Sequence, residues 1–320
     1  MSIEAEQAGP APRTAHPNSW VYFDGEFLRY HDVHLGLMTH ALHYGTGCFE
    51  GIRAYWSSDD GRLMLLQPAA HYDRLRRSGR LLGMELPGDT GELVETTVEL
   101  LRRNGYKQDV YVRPLLFKSS EEIGVRLHGL SQSFAIYTAT FGKYIDVDGG
   151  VRCMVSSWRR SPDVALPSRA KITGSYVNSA LAKSEAVASG FDEAITLTLD
   201  GHVAEGSAEN LFMLKEGAFV TPPVTDDILE GITRRLLMGL IRDELGLPVV
   251  ERSIDRSELY VCDELLLCGT GAQISGVVEL DHRKIGEGVV GEFTHELQEI
   301  YFAAVRGKLP KYAAWTLPVY

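Results

Sequence analysis

Two Asp-Gly pairs constrain this chain more than any other local signal. Asp24-Gly25 divides WVYFDGEFLRY, in which apolar and polar residues alternate on both sides, and Asp200-Gly201 divides the strand-like AITLTL from HVAEG. Asp-Gly tolerates the positive φ angles of a tight turn, so each pair predicts a hairpin. Both halves of the chain must therefore contain antiparallel sheet. ENLFMLK and AFVTPP continue the second set as a meander, with no sign there of βαβ crossovers.

Helical segments are spaced between the strands. HYDRLRRSGRLLG and ELVETTVELLRRNG read as helices, VYVRPLLF and SFAIYTATF as buried strands. The polar, turn-rich FGKYIDVDGG suits a connection, after which VRCMVSSW opens a second unit and YVNSALAKSEAVASG reads as a helix. ITRRLLMGLIRDELG carries Ile232, Leu236, Leu237, Leu240 and Leu245 at helical spacing and stops at Gly246, with Pro248 beyond. The chain has 320 residues, 44% of them hydrophobic, which is material for two cores. The expected organisation is a mobile tail over 1–18, a small α/β domain over 19–139, a linker over 140–149 and a larger domain over 150–320.

A formal net charge of -11 argues against nucleic acid, whose phosphates such a surface repels. The densest basic cluster, Arg74, Arg76, Arg77 and Arg80, lies on a helical stretch, where a solvated face is the ordinary explanation. Cys48, Cys153, Cys262 and Cys268 have neither disulfide-scaffold nor zinc-site spacing, which fits a reducing cytoplasm. No apolar run approaches the roughly 20 residues that span a bilayer, and the N-terminus has no signal-peptide core. A soluble cytoplasmic protein is expected.

Four segments bear chemistry-capable groups. Lys171 lies in PSRAKITGSY, Glu205 and Glu209 in VAEGSAENLF, a helix start in LEGITRR, and a Gly-Thr-Gly turn in ELLLCGTGAQIS. A lysine in a polar link is ordinarily a surface charge, and two loop carboxylates are ordinarily solvated. A helix start and a glycine-rich turn both offer N–H groups to an anion. The turn lacks a P-loop lysine and the helix of a dinucleotide fingerprint, so it supports neither an NTPase nor a Rossmann reading.

Taken together with THALHYGTGCFEGIRAY, YVRPLLF, FGKY, AKITGSYVNSALAKSEA, TPPVTDDILEGITRR, LLLCGTGAQISGV and the terminal KYAAW, these segments resemble class IV pyridoxal-phosphate enzymes, specifically the branched-chain amino acid aminotransferases. The resemblance runs from about Trp20 to the end. It implies a fold-type IV, mixed α/β architecture of two α/β domains, the second binding the cofactor and built on a barrel-like, antiparallel-rich sheet. It also implies pyridoxal 5'-phosphate as cofactor, a homodimer or larger homo-oligomer, and amino acids and 2-oxo acids as small-molecule partners.

The resemblance further implies roles for individual residues. Lys171 would be the Schiff-base lysine and proton shuttle. Glu205 would hold the protonated ring nitrogen, and Tyr176 would contact the ring oxygen. Arg74, Ile232, Thr233 and Thr270 would bind the phosphate. Tyr44, Phe49, Tyr111 and Tyr144 would wall the substrate pocket, Thr270, Gly271 and Ala272 would meet the α-carboxylate, and Arg113 would receive the distal carboxylate of glutamate or 2-oxoglutarate. The alternative for Arg113 is a buried ion pair, and for each aromatic it is core packing. Gly271-Ala272-Gln273 departs from the GTAAE common in relatives, and KITGSY from KAGGNY. A D-amino acid aminotransferase, an aminodeoxychorismate lyase and a transaminase for an unusual amino acid share the lysine and the glutamate. FEGIR and YVRP favour the branched-chain group. A non-catalytic scaffold would have lost these residues, yet all are present.

Overall fold

The computed structural model describes residues 16–140 and 149–320. Most of the expected tail, most of the expected linker and Tyr144 lie outside them. The first hairpin forms as expected, β1 (Trp20–Phe23) pairing with β2 (Glu26–Arg29). Asp24 and Gly25 take φ of 44° and 99° at its turn. The short helix α1 (His40–Tyr44) leads into β3 (Gly47–Phe49), β4 (Ile52–Ser57) and β5 (Arg62–Leu66). Then come α2 (Pro68–Leu81), α3 (Thr90–Asn104), β6 (Val110–Lys118) and β7 (Gln132–Thr140). The pairings among these strands are all antiparallel.

Helices α2 and α3 cover one face of that sheet. Tyr72, Leu75, Leu93, Leu100 and Leu101 pack there against Ile52, Ala54, Val110 and Val112. A capping box fixes the start of α3, where Asp89 accepts from the Glu92 N–H and Glu92 reaches back.

The second unit comprises β8 (Val151–Arg159), α4 (Tyr176–Ala188), β9 (Glu193–Leu197), β10 (Val203–Gly206), β11 (Asn210–Lys215) and β12 (Ala218–Thr221). It continues with α5 (Ile232–Asp243), β13 (Val249–Glu251), β14 (Glu264–Gly269), β15 (Gln273–Leu280), β16 (Arg283–Lys284) and α6 (Glu292–Val305). The strand order is β10-β9-β8-β15-β14-β11-β12-β13, with β16 on the side of β15. The expected hairpins β9–β10 and β11–β12 are present and antiparallel.

Crossovers flank this meander at both ends. β8 runs parallel to β9 across α4, and β12 parallel to β13 across α5. Each helix supplies the length that a parallel return needs. The second sheet is thus mixed, and α5 and α6 bury Leu237, Leu240 and Tyr301 against Phe212 and Leu266.

The last strand, β17 (Thr316–Pro318), pairs with β5 of the first sheet. We therefore propose the division at 19–139 and 150–320 with one change, that residues 316–318 belong with the first unit. Among the described residues no helix is long and apolar enough to cross a membrane.

Candidate active site

A cavity of about 250 Å³ opens where the two sheets meet. Phe49, Arg74, Tyr111 and Arg113 line it from the first unit; Lys171, Tyr176, Glu205, Ile232, Thr233, Thr270 and Gly271 line it from the second. Eleven scattered sequence positions thus converge on one volume.

Lys171 is not a free surface charge. Its carbonyl accepts from the Phe49 N–H at 3.0 Å, its own N–H donates to Ser78 Oγ at 3.2 Å, and neighbouring Ile172 bridges to Cys48. These contacts pin its backbone between β3 and α2. Its Nζ donates to the Tyr176 hydroxyl at 2.6 Å and stands 5.2 Å from the centre of the Phe49 ring. Tyr176 opens α4 and packs on Phe49 at 4.8 Å.

Glu205 and Glu209 are both buried, so the solvated-loop reading fails for each. Glu205 Oε1 meets Arg160 at 2.8 Å, and Oε2 accepts from Asn210 Nδ2 at 2.9 Å and the Leu229 N–H at 3.1 Å. Burial raises its pKa, opposed by the Arg160 charge and the Leu229 N–H. A carboxylate of raised basicity is a strong acceptor for a cationic N–H. Glu209 accepts from the Ala208 N–H at 2.9 Å, and burial, then the Glu193 charge, push its pKa up to about 8. A Cβ on Gly206 would come within 2.8 Å of Glu209 Oε2, which explains the glycine.

At the far end of the cavity, Arg74 is buried and oriented by a carboxylate. Its Nε and Nη2 donate to Glu50 at 2.6 and 2.7 Å, and its Nη1 to the Glu230 carbonyl at 2.9 Å. Buried His71 donates from Nδ1 to the same Glu50 at 2.7 Å. A guanidinium carries five N–H donors, so two of those on Arg74 stay available to a ligand. The start of α5 lies beside it, where Gly231 is extended and no side chain caps the helix. That terminus and Arg74 together make a site for a dianion. Of the rest of the basic cluster, Arg77 and Arg80 are exposed as expected, while Arg76 is half-buried and donates to the Gly88 carbonyl at 2.9 Å.

Another part of the cavity is aromatic and cationic. Arg113 lies over the Phe49 ring at 4.3 Å and donates to the Tyr111 hydroxyl at 2.7 and 3.1 Å. Among the described residues it meets these groups in place of a carboxylate. A Cβ on Gly51 would meet the Tyr111 hydroxyl at 2.2 Å, so that position excludes larger residues.

Two expected pocket residues do not reach the cavity of this chain. Tyr44 is directed elsewhere, its hydroxyl accepting from the Gly124 N–H at 3.2 Å and its ring packing on His40 at 4.6 Å. Ala272, the last residue of the Thr270-Gly271-Ala272 turn, is buried and does not line the cavity. Glu50, His71, Arg160 and Asn210 were not singled out from the sequence, although Glu50 lies in FEGIR and Arg160 follows VRCMVSSW.

The donor set fits pyridoxal 5'-phosphate from end to end. Arg74 and the uncapped α5 suit a phosphate, Lys171 an aldehyde carbon, and buried Glu205 a protonated ring nitrogen. Such a lysine and carboxylate between two α/β units define the class: a fold-type IV transaminase. The chain belongs to the amino-transferase class IV family, whose profile matches residues 47–280.

A probable branched-chain-amino-acid aminotransferase of Aquifex aeolicus (strain VF5) is 48% identical over 94% of this chain and 97% of its own length. The branched-chain aminotransferase of the thermophilic archaeon Thermoproteus uzoniensis, solved with norvaline, superposes with a TM-score of 0.90 at 42% identity, over 94% of this chain and 99% of that one. The branched-chain amino acid aminotransferase of Thermobaculum terrenum, solved in its PLP form, gives a TM-score of 0.91 at 33% identity, over 95% of this chain and 100% of that one.

Proposed function

We propose that this enzyme transfers the amino group of branched-chain L-amino acids to 2-oxoglutarate, using pyridoxal 5'-phosphate held by Lys171. The observation that carries the reading is the placement of Lys171, Glu205, Arg74 and the start of α5 around one cavity. A relative nearly half identical over almost the full chain supports the branched-chain substrates.

When bound, pyridoxal phosphate supplies an electron sink that acidifies the substrate Cα–H. The chain's residues do the rest. Lys171 Nζ moves the Cα proton, aimed by the Tyr176 hydroxyl 2.6 Å away. Glu205 would keep a proton on the ring nitrogen, and Arg74, Ile232, Thr233 and Thr270, which line the cavity, would hold the phosphate. Phe49 and Tyr111 wall an aliphatic side chain and exclude water, while Arg113 beside them receives the distal carboxylate of glutamate. The Thr270-Gly271-Ala272 turn meets the α-carboxylate. One pocket thus accepts an apolar donor and an acidic acceptor in turn.

The same reading includes a homodimer. Leu37, Ile123 and Val125 are 88%, 86% and 81% exposed. Their loops are joined by the Thr39–Glu121 bridge and by His40, which donates to the Gly124 carbonyl at 2.6 Å. Exposed apolar side chains on two joined loops fit a contact with a second copy. Light scattering during size exclusion tests this, and a monomer overturns it. Four buried free thiols fit a reducing cytoplasm.

A panel of L-leucine, L-valine, D-alanine and aminodeoxychorismate, with 2-oxoglutarate as acceptor, tests the substrate assignment. L-leucine and L-valine should dominate. A preference for D-alanine or aminodeoxychorismate refutes the assignment, and so does a Lys171→Ala protein that turns over leucine and still forms a borohydride-reducible adduct.

A further inference from the structure

The FEGIR segment contains an arginine that the transamination reading does not use. Alternation along β4 turns Ile52 and Ala54 into the core of the first sheet and sends Arg53 and Tyr55 toward the second unit. Arg53 is only 2% exposed. Its Nη1 donates to two consecutive carbonyls, those of Thr270 and Gly271, each at 3.3 Å. The Tyr55 ring lies 5.4 Å from its guanidinium, and Asp109 stands 4.0 Å from Nη2. Arg306 also approaches Asp109, at 3.7 Å.

Gripping two carbonyls has a geometric consequence. The described chain has no cis peptide bonds. In a trans peptide the carbonyl and the following N–H point in opposite directions. With the Thr270 and Gly271 oxygens drawn to Arg53, the Gly271 and Ala272 N–H groups point away from it. Thr270 and Gly271 line the cavity while Arg53 and buried Ala272 do not, so the arginine stands behind the turn and the two N–H groups point to its opposite side, that of the cavity. The turn is also conformationally costly, because buried Gln273 takes a φ of 59°. A bond at each of two carbonyls holds it in that shape.

We propose that Arg53 is a positioning residue for substrate carboxylate, orienting the N–H pair of the Thr270-Gly271-Ala272 turn and adding positive charge behind it. The proposal rests on the reading of this turn as the α-carboxylate site. Two oriented N–H groups backed by a buried cation favour a carboxylate over a neutral group of the same shape.

The test uses holoenzyme saturated with pyridoxal phosphate and two probes, 4-methylpentanoate and its neutral amide. Wild type should bind the acid more tightly than the amide. Arg53→Gln should weaken acid binding about 10- to 100-fold and change amide binding by less than about 3-fold. KM for both L-leucine and 2-oxoglutarate should rise while the visible spectrum of the bound cofactor stays the same. Arg53→Lys keeps the charge but not the planar fork, and should fall between the two. It also serves if Arg53→Gln folds poorly.

A purely structural role would lower acid and amide binding alike, and that result overturns the proposal. So does an unchanged acid preference in both variants, or a wild-type enzyme with no acid preference. Absence of amino transfer from every donor, with the acid preference intact and Arg53-dependent, refutes the transamination reading and upholds the role of Arg53.

Discussion

Glu50→Gln isolates the charge that compensates the arginine assigned to phosphate. Glu50 is fully buried and receives both donors of a side-on guanidinium fork, at 2.6 and 2.7 Å, together with His71 at 2.7 Å. Burial works against its ionised form, yet the Arg74 charge and hydrogen bonds, then those of His71, hold its carboxyl well below the usual range. Glutamine keeps the shape and one acceptor but leaves the buried Arg74 cation uncompensated. Breaking one partner of a buried pair costs about 3–5 kcal/mol. Urea unfolding of the cofactor-free protein should show a loss of that size, and pyridoxal phosphate should shrink it by supplying negative charge to Arg74. The double variant Glu50→Gln/Arg74→Leu removes the stranded cation along with its partner. It should be more stable than Glu50→Gln alone. A double variant equally or more destabilised, or a single variant within about 1 kcal/mol of wild type, refutes the charge argument. Because the folded-state pKa is depressed, this contribution is present above the ordinary carboxylate range and is lost as pH falls below it.

Other outcomes follow from groups around the same cavity. Glu209 is opposite in sign to Glu50: its carboxyl rises from 4.5 to about 8, so the folded state keeps a proton that the unfolded chain releases. Stability should decline across that interval, and urea midpoints of Glu209→Gln should vary less with pH than those of wild type; parallel profiles exclude this. Arg160→Met removes the 2.8 Å partner of Glu205 and should raise the pKa of that carboxyl further, lowering kcat by about tenfold or more with a shifted pH profile; an unchanged profile detaches Arg160 from the site. All four cysteines are buried, with Cys48 and Cys262 pushed up to about 12 by burial, so a thiol reagent should label none in the native protein and all four in urea. Rapid native labelling contradicts that packing.

Local signals were legible in the sequence because their causes are local. Asp24-Gly25 forms its hairpin for the reason its residue types suggest, and the face of Leu236, Leu237 and Leu240 is the buried face of α5. The parallel return from β8 to β9 was not legible, because a helix between two strands fixes their direction only once both are placed in the same sheet. The return of β17 to β5 likewise depends on a partner some 250 positions away in the chain. The family resemblance implied Lys171, Glu205 and Arg74, which is to say the groups that would touch the cofactor.

The groups that hold them in place escaped, and the reason is physical. Glu50 looks like one more acidic residue until the fold brings Arg74 and His71 to it, and Arg53 is unremarkable until β4 lies against a turn 217 positions later. A residue that meets ligand is constrained by chemistry that any relative with that ligand shares, so its type and spacing form a motif. A residue that holds another is constrained by geometry between distant segments, which leaves a single letter in the sequence. FEGIR concentrates both kinds: Phe49 faces the cavity, Glu50 holds Arg74, Gly51 makes room for Tyr111, and Arg53 braces the Thr270-Gly271 turn. Exchanging Glu50 and Arg53 in one chain conserves composition and net charge, yet it should cost both anion sites together. Retained affinity for either pyridoxal phosphate or 4-methylpentanoate in that swap would show that the charges act through the local field rather than through the contacts they make.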